Sequence, residues 1–153
     1  MQSTNSDNDT YLFNAPIKVF MIALARYGGT LRCARKLASA MAKFKQIKLA
    51  FIGSSDSAYA KDDELACLGL QEFQVSTGMS ARDNFIQTLK PQNYTKIVNY
   101  VRQFQPDIIH YPLSHAWDLV LAIALNRYAT VRTVHDPVCH LGRITVSMPP
   151  SKA

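Results

Sequence analysis

The 153-residue sequence has no hydrophobic run close to the roughly 20 residues that a membrane-spanning helix needs. Its first residues, MQSTNSDNDTYLFNA, lack the basic and apolar regions of a signal peptide. Cysteine is scarce: Cys33, Cys67 and Cys139 are an odd number and form no CxxC pair, which is typical of reduced thiols. These absences predict a cytoplasmic protein that begins with a disordered tail over residues 1–15.

The motifs that identify common nucleotide sites are missing as well. Neither GxGxxG nor GxxxxGK followed by Ser or Thr occurs. Aromatic residues are not interleaved with basic ones as they are in platforms for single-stranded nucleic acid. What the chain does have is 17 Lys and Arg against 11 Asp and Glu, a formal net charge of +6. This charge favours an anionic partner such as a nucleotide or a lipid surface, and we expect no nucleic acid partner.

The apolar pattern alternates between buried strands and amphipathic helices. The segment IKVFMIAL (17–24) is apolar on both faces apart from Lys18, which is typical of a strand inside a parallel sheet. The pattern predicts strands over 17–24, 47–53, 71–75, 107–111 and 130–134, and helices over 30–45, 62–68, 81–89, 94–104 and 114–128. This alternation favours a doubly wound α/β fold with a parallel sheet in the order 3-2-1-4-5. We expect one Rossmann-like domain over 16–142 and an irregular tail over 143–153.

The predicted first helix has an apolar face and several basic residues. The apolar face consists of Leu31, Ala34, Leu37, Ala38, Met41 and Phe44. Four basic residues lie off that face: Arg32, Arg35, Lys36 and Lys43. They form either a solvated surface, which we favour, or a contact with anionic lipid headgroups at the inner face of a membrane.

A glycine pair separates the first strand from the first helix. Backbone N–H groups at a helix N-terminus suit phosphate, and glycine lets the backbone approach a ligand. Gly28, Gly29 and Thr30 are therefore candidates for binding phosphate, with Arg26 adding charge. The alternative is a plain turn in which glycine only eases the geometry, and the sequence favours neither.

The stretch TVHDP places His135 and Asp136 at the carboxyl end of the fifth predicted strand, where open α/β sheets bind ligands. An imidazole there can donate a hydrogen bond to a sugar hydroxyl or a phosphate, or the pair can simply cap the loop. Together with Cys139 and His140, the same residues can also be interpreted as a zinc cluster. Four ligands within six residues are closer than the usual paired spacing, so we expect no metal site.

Two more histidines lie near the fourth predicted strand. His110 is within the strand and is predicted to be a packed core residue. His115 is at the start of the next helix, which Ser114 is predicted to cap, and it is a candidate for a ligand contact. Trp117 and the run LVLAIAL (119–125) are predicted to pack deeply in the core.

Three segments together resemble the N-terminal half of a GT-B glycosyltransferase of family four, whose members are retaining enzymes that use nucleotide-sugar donors. The segments are VFMIALARYGGTLRCARKLASAMA, YVRQFQPDIIHYPLSHAWDLVLAIAL and VRTVHDPVCHLG. They occur in the order that the family has, and the resemblance covers about residues 16–142.

The resemblance implies roles for several residues. Gly28 and Gly29 would lie against the diphosphate of a UDP- or GDP-sugar donor. His135 would contact the transferred sugar and stabilise charge near its anomeric carbon, and Asp136 would orient that loop. The loop over 76–90 and the first helix would face a glycan or lipid-linked acceptor. The resemblance implies neither a metal nor another cofactor.

The sequence also departs from the family, whose second domain binds the donor and carries an E-x7-E motif. Glu64 and Glu72 have this spacing, but they lie between the second and third strands, so we interpret it as coincidence. We therefore expect an acceptor-side half that is inactive alone and needs a C-terminal half from a partner chain. The alternative is a non-catalytic nucleotide- or phosphate-binding module that acts through a partner.

Overall fold

A computed structural model describes residues 15–62 and 64–134 of the protein. Within them, a five-stranded sheet has helices on both faces. The elements are β1 (Ile17–Ala23), α1 (Gly29–Met41), β2 (Ile47–Ser54), α2 (Glu64–Cys67), β3 (Gln71–Val75), α3 (Ala81–Thr88), α4 (Pro91–Phe104), β4 (Ile108–Tyr111), α5 (Asp118–Ala124) and β5 (Ala129–Arg132). In the ranges the structure describes, no helix has the length and apolarity to cross a membrane.

The sheet is parallel throughout, and its strand order is β3-β2-β1-β4-β5. Strand β1 lies at the centre, where Met21 is in register with Phe51 of β2 on one side and with His110 of β4 on the other. The predicted doubly wound fold and its strand order are confirmed. The prediction succeeded because β1 and β2 are covered on both faces and are therefore apolar along nearly their whole length.

Alternation along β1 divides the core into two layers. Phe20 and Ile22 pack on the side of α4 and α5, where the cluster extends to Trp117. Met21 points to the other side and packs with residues of α1 and α2 such as Leu31 and Leu65. The two helical layers follow from the chain order: α1 and α2 cover one face as the chain runs from β1 out to β3, and α4 and α5 cover the other after it returns to β4.

Helix α1 differs from the prediction at one basic residue. Arg35, predicted to lie off the apolar face, is only 4% exposed. Its guanidinium donates to the Glu72 carboxylate at 3.1 Å and to the Asp62 backbone carbonyl at 3.0 Å. It also lies over the rings of Phe51 and Tyr59. These acceptors pair with the two terminal nitrogens of the buried guanidinium, whereas its Nε has no partner among the described residues. Glu72 therefore has a structural partner, in agreement with the interpretation of its spacing to Glu64 as coincidence.

The apolar face of α1 is also shorter than predicted. The helix ends at Met41, so Phe44 lies beyond it and is exposed, and Leu37 is exposed as well.

Helix α5 is the largest departure from the predicted fold. Ser114 is not its cap, because the helix begins at Asp118, whose carboxylate accepts a hydrogen bond from the His115 N–H at 3.0 Å. Trp117 is fully buried, as predicted. The following run is not: Leu119 is 72% exposed and Ile123 is 68% exposed. The helix has only two turns and contacts the sheet along one face, so apolar residues on its other face stay uncovered in the part of the chain that the structure describes.

We expect Arg35→Ala to lower the free energy of unfolding by about 3 kcal/mol, because it leaves the largely buried Glu72 carboxylate without its cation. Urea unfolding followed by the fluorescence of Trp117, the single tryptophan, measures this. Lys36→Ala, at the exposed neighbouring position, is the control and should change the value by no more than about 0.5 kcal/mol. Equal effects of the two substitutions would contradict the structural role of Arg35.

Candidate functional site

The candidate site lies where β1 and β4 end side by side. The chain crosses to opposite faces of the sheet after these two strands, so their loops separate and leave a crevice between them. Two adjoining cavities open there, with volumes of about 350 Å³ and 200 Å³, and Ala25 lines both. Open α/β sheets bind ligands at this topological position.

The first cavity lies between the N-terminus of α1 and the end of β5. Its lining residues are Ala25, Thr30, Leu113, Ser114, Arg132, Thr133 and Val134. Arg132 forms an ion pair with the buried Asp118 carboxylate at 3.3 Å and lies over the Tyr111 ring. Burial and the Asp118 charge raise the Tyr111 pKa to about 12, so its hydroxyl stays protonated. Hydroxyls, a guanidinium and a helix N-terminus make this cavity suited to a phosphate or a polyhydroxylated ligand.

Of the two glycines between β1 and α1, the fold requires only Gly28 and not Gly29. Gly28 precedes α1 with φ 104° and ψ 167°, a backbone conformation that residues other than glycine rarely adopt. Gly29 is the first residue of the helix, and a Cβ atom there would meet nothing within 4 Å. The fold therefore explains Gly28 but not Gly29, whose open surroundings leave room for a ligand beside the helix N-terminus.

The second cavity lies between the β1 loop and the loop that follows β3. Its lining residues are Leu24, Ala25, Arg26, Tyr27, Thr77, Asn84 and His115. The Arg26 guanidinium donates to the Met79 backbone carbonyl and lies over the Tyr27 ring. Arg26 is therefore occupied in joining the two loops and does not simply add free charge.

The sequence-based interpretation missed the residues that hold the β3 loop. The Asp56 carboxylate accepts from the Ser76 hydroxyl at 2.8 Å and from the Gly78 N–H at 2.7 Å. The Asn84 amide donates to the Thr77 carbonyl, and the Thr77 side chain is hydrogen-bonded to Ser54. The only signal was an aspartate in the turn-rich SSDS segment after β2, which is typical of many turns.

His115 has a defined hydrogen-bonding state. Its Nδ1 accepts from the Trp117 backbone N–H at 3.2 Å, so the proton of the neutral ring is on Nε2. Burial lowers the His115 pKa below its usual value, and the nearby Asp118 carboxylate opposes part of that shift. A neutral imidazole with Nε2–H as donor, in the lining of the second cavity, can bind a hydroxyl or a phosphate oxygen.

His110 is the other histidine of the described residues. It is buried, burial lowers its pKa, and its Nε2 lies 2.9 Å from the Thr133 hydroxyl. The prediction of a packed core histidine is confirmed. The contact joins β4 to the segment after β5, beside the first cavity.

The predicted rim residues His135 and Asp136 lie outside the described residues, as do Cys139 and His140 of the zinc alternative. The described chain ends at Val134, which lines the first cavity. Among residues 15–62 and 64–134, no three His, Cys, Asp or Glu side chains are grouped so that they could hold a metal. The structure therefore brings together Thr30, Arg26 and His115 around two joined cavities, and the roles of His135 and Asp136 stay predictions.

Comparisons with known proteins identify the fold. No family model matches the sequence, and no curated protein matches it either. The crystal structure of MurG from Acinetobacter baumannii superposes with a TM-score of 0.54 at 12% sequence identity. MurG is a glycosyltransferase of the GT-B fold, so this chain has a GT-B-like Rossmann fold. The match covers 76% of this chain but 34% of the MurG chain, so the chain spans about a third of MurG.

We expect the pH dependence of stability to report the state of His115. The unfolded histidine takes up a proton near its usual pKa of 6.5, whereas the folded one takes it up only at lower pH. The free energy of unfolding should therefore fall as the pH drops below about 6.5. His115→Asn keeps an acceptor for the Trp117 N–H but does not titrate, so its profile should be flatter, and His110 accounts for what remains. Urea midpoints between pH 5 and 7.5 measure both profiles, and identical slopes would contradict the assignment.

Proposed function

We propose that residues 16–142 form the acceptor-side half of a retaining GT-B glycosyltransferase that transfers a sugar from a UDP- or GDP-sugar. The observation that carries the proposal is Gly29, a position at which the fold itself does not require glycine. It lies at the N-terminus of α1, at the switch point of a sheet whose fold is shared with MurG. Backbone N–H groups and the helix dipole at this position favour a diphosphate.

The lining residues of the two cavities suggest a division of roles. Thr30 lines the first cavity, and its hydroxyl binds the donor phosphate together with the N–H groups of the preceding Gly28 and Gly29 at the start of α1. His115 donates from Nε2 to a hydroxyl of the sugar or the acceptor in the second cavity. By resemblance to family four, His135 contacts the transferred sugar and Asp136 orients its loop.

The proposed chemistry is electrostatic. A retaining transfer through an oxocarbenium-like state develops positive charge on the sugar and negative charge on the departing nucleotide phosphate. Aligned N–H donors stabilise the phosphate charge without being reoriented during the reaction. We propose that no metal takes part, in keeping with the family that the sequence resembles.

The proposal requires a second, donor-binding domain from outside residues 1–153. The site of a GT-B enzyme lies between two domains, and the described residues form only one of them. We propose that the other domain carries the E-x7-E motif and that the complete enzyme acts in the cytoplasm. The acceptor is a glycan or a lipid-linked sugar.

A second candidate is a non-catalytic module that binds a nucleotide or a phosphate and acts through a partner chain. The observation that favours it is the first cavity, in which Arg132, Thr30 and a helix N-terminus already surround a volume of about 350 Å³. Such a module would bind its ligand without a second domain.

Titration of the full chain with UDP- and GDP-sugars separates the two candidates. The glycosyltransferase proposal predicts weak or undetectable binding to the chain alone. Sugar transfer should be measurable only when a donor-binding GT-B domain with E-x7-E is added in trans. Tight nucleotide binding to the isolated chain would overturn the proposal in favour of the module.

Substitution of the two glycines tests the phosphate role in the complemented enzyme. Gly29→Ala should leave stability unchanged or raise it by up to about 1 kcal/mol, because alanine favours helix and the Cβ has open space. Transfer should nevertheless fall at least tenfold, because the added Cβ occupies the space proposed for the phosphate and moves it away from the backbone N–H, which weakens a charge-assisted hydrogen bond worth about 1.5 to 3 kcal/mol. Gly28→Ala is the contrast, since its backbone strain should lower stability by about 1 to 3 kcal/mol. Full activity of Gly29→Ala would contradict the proposed role.

A further inference from the structure

A third cavity, which we call the α1–α2 cavity, lies between α1 and the segment that leads into α2. It has a volume of about 280 Å³, and among the described residues it shares no lining residue with the two cavities of the candidate site. Its lining consists of Tyr59 and five charged residues, which are Arg32, Arg35, Lys36, Asp62 and Glu64. A cavity lined by charged groups takes up polar ligands or water and not apolar molecules.

Helix α1 contributes three basic residues to this cavity, Arg32, Arg35 and Lys36. Their spacing of three and four positions places them on one face of the helix. Arg35 is buried and paired with Glu72, whereas Arg32 and Lys36 are exposed. Within residues 15–62 and 64–134, no ion pair joins Arg32 or Lys36 to a carboxylate. Like charges four positions apart on a helix repel each other, so an anionic group between these two cations stabilises both.

Two acidic residues, Asp62 and Glu64, line the same cavity. The Asp62 carboxylate is already engaged, since one oxygen accepts from the Glu64 backbone N–H at 3.0 Å and the other lies 3.7 Å from the Arg35 guanidinium. Glu64 is exposed, and its carboxylate forms no ion pair in the part of the chain that the structure describes. The cavity therefore presents one unpaired carboxylate and two unpaired cations that do not reach each other.

A buried hydrogen-bond donor belongs to the same lining. The Arg35 Nε has no partner among the described residues, although the two terminal nitrogens of its guanidinium are paired. Buried donors in native proteins are paired with protein, water or ligand, because an unpaired donor costs free energy. We therefore expect an acceptor from outside the described residues beside this guanidinium, and the α1–α2 cavity is the space from which it can approach.

We propose that the α1–α2 cavity binds a small zwitterion, of the class of the free α-amino acids. The ligand carboxylate lies between Arg32 and Lys36, and the ligand ammonium group donates to the Glu64 carboxylate. A simple anion fits less well, because the three basic residues of the lining are balanced in formal charge by Asp62, Glu64 and the neighbouring Glu72. The inference does not depend on the proposed glycosyltransferase function, since it concerns a separate cavity.

Thermal unfolding of the full chain, measured with each common α-amino acid in turn at millimolar concentration, tests the inference. We expect at least one of them to raise Tm, because a ligand that binds only the folded state stabilises it. The N-acetyl derivative and the methyl ester of that amino acid each keep only one of its two charges, so both should raise Tm much less. Equal stabilisation by the N-acetyl derivative would identify a simple anion site and overturn the inference, and so would the absence of any increase in Tm.

Two double variants distinguish this cavity from surface charge in general. Arg32→Gln with Lys36→Gln should weaken the affinity measured by isothermal titration calorimetry by about tenfold or more, the effect of losing one hydrogen bond between charged groups. Glu64→Gln should weaken it as well, because the ammonium group loses its carboxylate. Lys43→Gln with Lys45→Gln is the matched control, since it also removes two exposed cations, just beyond the end of α1, and it should bind like the wild type.

A further variant locates the ligand. Thr30→Val changes the lining of the first cavity, so it should leave the affinity for the amino acid unchanged. Circular dichroism should show that all variants are folded, and Arg35 is kept in each of them because it stabilises the fold. Loss of binding in Thr30→Val, or equal affinities of Arg32→Gln with Lys36→Gln and of its control, would overturn the inference.

Discussion

The pairing of β1 with β2 on one side and β4 on the other determines where every functional feature lies. Parallel strands end at the same edge, so the β1, β3 and β4 loops converge there although they are far apart in the chain. Because the crossovers leave β1 and β4 in opposite directions, the two loops part and the joined cavities open between them. Without this pairing, Thr30 and His115 would have no relation to each other.

Two charged side chains, Arg35 and Asp56, stabilise the fold by joining separate elements. Arg35 joins α1 to β3 through Glu72, and Asp56 joins the β2 turn to the β3 loop. Each is paired with groups on other elements, which is the condition under which charged groups can be taken out of water, although the Arg35 Nε has no partner in the described part of the chain. The consequence for function is indirect: the Asp56 contacts hold the loop after β3, which lines the second cavity, while no described side chain occupies the His115 Nε2–H.

The side of the fold formed by α3 and α5 has the opposite character. Two short helices expose apolar residues, whereas the longer α4 between them buries a continuous stripe that includes Ile97 and Val101. The difference is one of packing, since α4 contacts β3 of the sheet whereas α3 packs on α4.

The amino-acid sequence by itself determined the order and type of the elements and the place of the glycine corner, because burial on both faces of β1 and β2 leaves an unmistakable apolar pattern. It also predicted His110 and Trp117 as core residues. The sequence did not predict that one face of α5 is exposed, that Arg35 is buried or that Asp56 holds the loop after β3. These depend on which distant elements come into contact: the same apolar run is core when a second layer covers it and surface when none does. Only the tertiary structure decided that, because hydrophobicity states what a residue favours and not whether the fold has a partner to cover it.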